Sequence, residues 1–231
     1  MESARFASQF LYEGLLCDGC RNDPPKFERA VAYAVYQNEL RGMIHLLKYE
    51  RMSGVAKLLG PMLAAAILSL ESQSARDLVV VPVPLFPSKL RQRGYNQSEL
   101  LARSALKELR RLRPDWHLSL DPAILRRQRD TQSQFELNPT SRRRNVKSAF
   151  EANPSLLRPG CEVLLVDDIL TTGATARECS QALVSAGAGK VWVATLARAQ
   201  RLGVQSNDVA LWNEDVAIWN DQSTATAQGF G

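Results

Sequence analysis

The sequence has few of the residues on which several enzyme classes depend. Histidine occurs only twice in 231 residues, as His45 and His117, and neither has another candidate metal ligand near it in the chain. A hydrolase triad built around histidine, or a metal site with several histidines, is therefore hard to assemble. The Walker phosphate loop and the Gly-x-Gly-x-x-Gly dinucleotide pattern are absent as well.

Cysteine and long apolar runs are also scarce. Four cysteines in a chain of this length do not resemble the framework of a disulfide-rich protein. No stretch approaches the roughly 18 apolar residues that span a bilayer. The first residues, which include Glu2 and Glu13, lack the basic-then-apolar pattern of a secretion signal. We therefore expect a cytoplasmic protein without membrane insertion.

The net charge of +5 is unevenly distributed. The segment from Arg126 to Lys147 contains seven basic residues against two acidic ones, and we call residues 126–150 the basic arm. Such a cluster is either a solvated surface or a binding surface for an anion such as pyrophosphate or nucleic acid. Aromatic residues that could stack on bases are few in it, namely Phe135 and Phe150.

The most informative stretch runs from Val163 to Ala176. An unbroken apolar run, Val163 to Val166, precedes the adjacent carboxylates Asp167 and Asp168. After Ile169 and Leu170 the residues are small or carry hydroxyls, namely Thr171, Thr172, Gly173, Ala174 and Thr175. Apolar residues then recur at helical spacing. The pattern predicts a buried strand, a loop and a helix.

This stretch has the chemistry of a sugar phosphate site. Backbone N–H groups converge at the start of a helix, where they and the helix dipole bind phosphate. Two carboxylates would repel that phosphate, so they are expected to face hydroxyl groups or a magnesium ion instead. A ribose 5-phosphate fits both halves. The other interpretation is that Asp, Thr and Gly serve only to cap the helix and form the turn.

A second candidate site follows the valine-rich strand from Leu78 to Pro84. The segment Leu85 to Gln97 carries three cations and a flexible glycine, and we expect it to be a loop. Because open α/β sheets bind ligands at the carboxyl ends of their strands, this loop is a candidate clamp for an oxyanion. Alternatively, its cations belong to the exposed first turn of the next helix.

The other segments give a coarse outline. We expect strands at residues 30–35, 118–125 and 191–196, helices at 40–49 and 55–70, and a disordered tail at 222–231. The chain divides into an N-terminal segment (1–28), an α/β domain (29–202) and an extension (203–231). Within the first segment, Cys17 and Cys20 form a Cys-x-x-Cys motif, which is either half of a zinc site or a turn with two free thiols.

Five separated motifs resemble, in the same order, the ComF family of type I phosphoribosyltransferase-like proteins. They are Leu47-Lys48-Tyr49, Val81-Pro-Val-Pro84, Arg93-Gly-Tyr-Asn-Gln97, the basic arm, and the acidic phosphate loop. The resemblance implies a type I phosphoribosyltransferase fold, a mainly parallel sheet flanked by helices with a small N-terminal hood. Many members begin with a four-cysteine zinc ribbon. Cys17 and Cys20 match its second pair, which implies Zn²⁺ or a remnant that has lost it.

The resemblance also implies roles for individual residues. Asp167 and Asp168 would hold the ribose hydroxyls of phosphoribosyl pyrophosphate (PRPP), directly or through Mg²⁺, and residues 171–175 would cradle its 5-phosphate. Pro84, Leu85 and Lys89 would bind the pyrophosphate. Four cations are the catalytic candidates that would stabilise the leaving group: Arg91, Arg93, Arg126 and Arg129.

The activity implied is transfer of a phosphoribosyl group to a small-molecule acceptor, such as a nucleobase, with release of pyrophosphate. Members of the family are bacterial and are associated with competence for DNA uptake. The alternative is a non-catalytic sensor of PRPP or a nucleotide that acts as an adaptor for single-stranded DNA or competence proteins. The sequence leaves the acceptor and the oligomeric state, including a homodimer, open.

Overall fold

The computed structural model describes residues 24–129 and 149–199. Three parts of the sequence interpretation lie outside these residues. They are the Cys17–Cys20 motif, residues 130–148 of the basic arm, and the proposed extension from residue 203. Within the described ranges, no helix is both long and apolar enough to cross a membrane.

Five parallel strands form the central sheet. They are β1 (Arg29–Val35), β2 (Asp77–Pro82), β3 (His117–Leu120), β6 (Glu162–Leu170) and β7 (Lys190–Arg198). Their order across the sheet is β1-β7-β6-β2-β3, and every neighbouring pair is parallel. Strands β4 (Leu125–Arg127) and β5 (Phe150–Ala152) form a separate antiparallel pair.

Five α-helices connect and cover these strands. They are α1 (Asn38–Tyr49), α2 (Ala56–Leu68), α3 (Pro87–Arg93), α4 (Gln97–Leu112) and α5 (Ala174–Ser185). Short 3₁₀ turns at Ser53–Val55 and Pro154–Leu156 complete the described elements.

Strand β6 lies at the centre of the sheet and is buried on both faces. Leu164 and Val166 share one hydrophobic core with residues of α1, α2 and α4. Val163 and Leu165 point to the opposite face, as alternation along a strand requires, and belong to a second core with α5 and the β4–β5 pair. The predicted fold class, a mainly parallel sheet flanked by helices, is confirmed.

Asp167 and Asp168, which the sequence leaves between the predicted strand and the loop, lie within β6, because pairing with β7 continues through Leu170. Two details of the sequence interpretation are wrong. The cationic segment after Pro84 is mostly helix α3, which starts with Pro at its first turn and ends at Gly94 in a left-handed conformation. The single strand expected at 118–125 is two strands, β3 and β4.

Candidate functional site

The acidic pair lies at the carboxyl end of the central strand. Residues Val163 to Val166 are almost fully buried, and they fix the position of β6 between β2 and β7. Asp167 is in register with Thr195 of β7, and Pro82 of β2 is in register with Val166. The two aspartates therefore begin where the neighbouring β2 ends, at the edge where parallel sheets bind ligands.

Asp168 forms an ion pair with a lysine from α1. Its Oδ1 lies 2.8 Å from Nζ of Lys48, and the two side chains are only 5% and 19% exposed. Burial opposes the charge of Lys48, but the neighbouring Asp168 outweighs that effect, so the pKa of the lysine lies above its usual value. Within the described residues, Oδ2 of Asp168 is buried and has no hydrogen-bond partner. A buried oxygen of this kind is suited to accept from a ligand.

Asp167 is held by two donors. Its Oδ1 accepts from Oγ of Ser98, at 3.0 Å, and from the backbone N–H of Asp168, at 2.9 Å. Ser98 is fully buried in the first turn of α4. Burial, together with the adjacent Asp168, raises the pKa of Asp167 to about 7, although Lys48 and the two hydrogen bonds act in the opposite direction. The pair thus carries less negative charge near neutral pH than two ordinary carboxylates would.

The bend after β6 leads directly into α5. Gly173 has φ = 75°, a left-handed conformation that favours glycine, and a Cβ added there would meet only open space. Oγ1 of Thr172 lies 3.4 Å from the N–H of Ala174, and the first intrahelical bond runs from Arg177 N–H to the Gly173 carbonyl. The bend at Gly173 is therefore open, and it lies beside the N–H groups that a helix leaves unbonded at its start.

The segment after β2 lies beside the acidic pair. The N–H of Val83 donates to the carbonyl of Val166, at 2.9 Å, so the chain follows β6 for one residue beyond the strand. The carbonyl of Val83 accepts from Nδ2 of Asn96, at 3.0 Å, and Asn96 also caps α4. These bonds bring Pro84 and Leu85 next to the carboxyl end of β6.

Similarity to curated proteins identifies the family. The chain is 34% identical over 186 residues to DNA utilization protein YhgH of Escherichia coli strain K12, covering 80% of this chain and 78% of the relative. It is 30% identical over 195 residues to competence protein F of Haemophilus influenzae, covering 83% and 82% of the two chains. The chain belongs to the ComF family. No family model matches it.

The solved structures that resemble this ComF chain include two distant neighbours. One is the allosteric regulatory enzyme of purine biosynthesis, with 18% identity, a TM-score of 0.37, and coverage of 66% of this chain and 30% of that one. The other is a hypoxanthine phosphoribosyltransferase from Staphylococcus aureus, with 19% identity, a TM-score of 0.34, and coverage of 64% of each chain.

Two of the ComF motifs meet beside the acidic pair. The hydroxyl of Tyr95 donates to the carbonyl of Leu47, at 2.6 Å, and the guanidinium of Arg93 lies 5.8 Å from the ring centre of Tyr49. The residue between Leu47 and Tyr49 is Lys48. The sequence interpretation noted the motif without assigning this lysine to the site. Its position inside a motif shared with the family was the available signal.

The predicted catalytic cations, together with the predicted pyrophosphate ligand Lys89, lie on α3 and on or just after β4. Lys89, Arg91 and Arg93 are on α3, where Nη1 of Arg93 donates to Oε1 of Gln97 at 2.5 Å. Arg126 is on β4, is exposed, and donates from Nε to Glu151 at 2.5 Å. Arg129 is the second residue after β4 and is exposed. Arg93 and Arg126 are therefore already engaged within the protein.

The described residues contain no cluster of three or more His, Cys, Asp or Glu side chains that could hold a metal ion. The oxygen donors at the site are the two carboxylates of Asp167 and Asp168, one of which is paired with Lys48. Mg²⁺ often binds to one or two carboxylates while the substrate's phosphates and water supply the other ligands. The acidic pair fits an ion that arrives with a phosphorylated ligand.

Proposed function

We propose that this ComF chain binds PRPP at the carboxyl edge of its sheet and transfers the phosphoribosyl group to an acceptor, releasing pyrophosphate. The observation that carries the proposal is the arrangement at the end of β6. Asp168 has a buried carboxylate oxygen that finds no partner among the described residues. A few residues later the chain forms an open bend at Gly173 and starts a helix.

The arrangement supports a ribose phosphate because its two parts prefer opposite ligands. Carboxylate oxygens accept hydrogen bonds, and the ribose hydroxyls of PRPP are donors. The bend and the first turn of α5 offer N–H donors and the positive end of a helix dipole, which suit the 5-phosphate. The loop at residues 83–86 and the cations of α3 would then bind the pyrophosphate.

Mg²⁺ would be held by Asp167 and Asp168 and by the ligand, and it would neutralise charge on the phosphates. The side chains of the described residues are expected to hold and orient the ribose. Ser98 and Lys48 fix the two carboxylates, so the ribose is held with its anomeric carbon directed at the acceptor. Closure of the basic arm over the site would exclude water, which would otherwise hydrolyse the ligand.

In the proposed reaction, the bond between the anomeric carbon and the pyrophosphate oxygen breaks, and both of its electrons leave with pyrophosphate. A nucleophilic atom of the acceptor forms the new bond to carbon and loses its proton. Because negative charge grows on the leaving group, preorganised cations lower the barrier more than a strong base would. Lys89, Arg91 and Arg93 are the candidates on α3. Arg126 and Arg129 are the candidates on the arm, and Arg126 must first release Glu151.

Calorimetric titration with PRPP in the presence of magnesium tests the binding half of the proposal. Asp168→Asn replaces a charged acceptor with an amide of the same size, and we expect its affinity to be at least about 10-fold lower than that of the wild type, as for loss of a charge-assisted hydrogen bond. Asp77→Asn is the matched control, because Asp77 is exposed at the opposite end of β2. Equal binding by wild type and Asp168→Asn would remove the site assignment.

A second candidate function is binding without transfer. The relatives named for DNA utilization and competence favour a role linked to DNA. In that case PRPP would act as a signal, and single-stranded DNA or a competence protein would be the partner. A pyrophosphate-release assay over a panel of nucleobases and a salt titration on a labelled oligonucleotide separate the two functions, since electrostatic DNA binding weakens steeply with salt.

A further inference from the structure

The contact between Lys48 and Asp168 joins two parts of the chain that lie far apart in sequence. Lys48 is in the last turn of α1, whereas Asp168 is near the end of β6. The lysine occupies Oδ1 of the carboxylate, and Oδ2 stays buried without a partner in the described residues. One oxygen is thus used to hold the side chain, and the other is left for a ligand.

The end of α1 is itself fixed in place. The hydroxyl of Tyr95 binds the carbonyl of Leu47, and Nη2 of Arg51 donates to the carbonyl of Gln92, at 2.7 Å. The cation–π contact of Arg93 with Tyr49 adds a third link. Residues on both sides of Lys48 are therefore tied to the last turn of α3 and to the segment that follows it, so the lysine reaches Asp168 from a braced backbone.

Resting on the proposed function, we propose that Lys48 is a positioning residue for the sugar: it holds Asp168 oriented so that Oδ2 accepts from a ribose hydroxyl. Lys48 acts through the carboxylate and not on the phosphates. A buried carboxylate that loses its cationic partner is no longer held in place and turns toward other donors. Oδ2 is then no longer directed to where the ribose needs an acceptor.

The roles of Lys48 can be separated with three ligands. PRPP and ribose 5-phosphate contain the ribose hydroxyls, and inorganic pyrophosphate does not. The affinities of wild type and Lys48→Met for each ligand are measured by titration followed by NMR of the ligand. The affinities for PRPP and ribose 5-phosphate are expected to fall by the same factor in Lys48→Met. That factor is about 10- to 100-fold, as is usual when the partner of a ligand-binding group is removed. Pyrophosphate is expected to bind both proteins equally.

Two further variants serve as controls. Lys48→Arg keeps the charge at the site and is expected to recover most of the ribose 5-phosphate affinity. Lys57→Met makes the same exchange at an exposed lysine at the start of α2 and is expected to bind all three ligands as the wild type does. Thermal melting checks that each variant is folded.

The possible results are distinguishable. If pyrophosphate weakens along with the other two in a folded Lys48→Met, the lysine acts on the phosphates and the inference is wrong. If no ligand weakens, the inference is wrong while the proposed function stands. If the wild type binds neither PRPP nor ribose 5-phosphate, the proposed function fails and the inference fails with it.

Lys48→Met leaves a buried carboxylate unpaired, so its folding needs a separate test. The double variant Lys48→Met/Asp168→Asn has no buried charge at this position. If the two residues form the pair described here, the double variant melts at a higher temperature than Lys48→Met. A melting temperature equal to or below that of the single variant would contradict the pairing, whatever the ligands do.

Discussion

Replacing Asp167 by Asn is expected to make the protein more stable above neutral pH. The pKa of Asp167 is raised to about 7, mainly by burial and then by the charge of Asp168. An aspartate in an unfolded chain titrates near 3.9. Between these values the folded protein holds a proton that the unfolded chain has lost, so the free energy of unfolding falls as the pH rises.

The magnitude follows from the width of that interval. Each pH unit corresponds to about 1.4 kcal/mol, and the interval spans roughly 3 units, so ionised Asp167 lowers the free energy of unfolding by on the order of 4 kcal/mol above pH 7. Below about pH 4 the effect vanishes. Asn keeps an oxygen that can accept from Ser98 and from the N–H of Asp168, but it carries no charge.

Urea denaturation at pH 5, 6, 7 and 8 measures the effect. We expect the free energy of unfolding of Asp167→Asn to exceed that of the wild type at pH 8 and to approach it at pH 5, while PRPP binding is lost. Asp77→Asn, at an exposed site, is the control and is expected to change neither quantity. A difference between Asp167→Asn and wild type that is independent of pH, or a less stable variant at pH 8, would refute the reasoning.

Three other substitutions test particular parts of the structure. Gly173→Ala and the control Gly160→Ala are each expected to lower the free energy of unfolding by about 1 kcal/mol, because both glycines have φ = 75° and open space around them. Only Gly173→Ala is expected to weaken PRPP binding in calorimetry. Gly60→Ala is expected to lower the free energy of unfolding in urea by about 1–3 kcal/mol, because its Cβ would overlap α4 where α2 packs against it. Gly42→Ala, on α1 with open space around it, is the control and is expected to be slightly stabilising. Tyr95→Phe removes the hydrogen bond to the carbonyl of Leu47 in α1 and is expected to lower the free energy of unfolding in urea by about 1 kcal/mol. It is also expected to weaken ribose 5-phosphate binding. Unchanged binding would mean that this hydrogen bond does not position the site.

The phosphate loop could be predicted from sequence because its signals are local. The run Val163 to Val166 indicates a buried strand, and the small residues around Gly173 indicate a turn into a helix. The same local reasoning does not say where the strand ends. Strand β6 continues through both aspartates because β7 offers backbone partners on that side, and no residue of β6 itself carries that information.

The position of Lys48 could not be predicted in the same way. Its contact with Asp168 depends on how α1 packs against the sheet, which is a property of the tertiary structure. Helix α3 is a different case. Its signals, Pro87 at the first turn and Gly94 after the last, are present in the sequence, but the helix is only seven residues long and the cations in it suggested a loop.

Phosphate binding at the bend after β6 is tested most directly by recording the backbone amide NMR signals of the wild type during a titration with PRPP and magnesium. If the 5-phosphate binds there, the amides of residues 171–176 shift most, followed by those of Asp167 and Asp168. Shifts that are largest elsewhere, with these amides unchanged at saturation, would show that PRPP does not bind at the carboxyl end of β6.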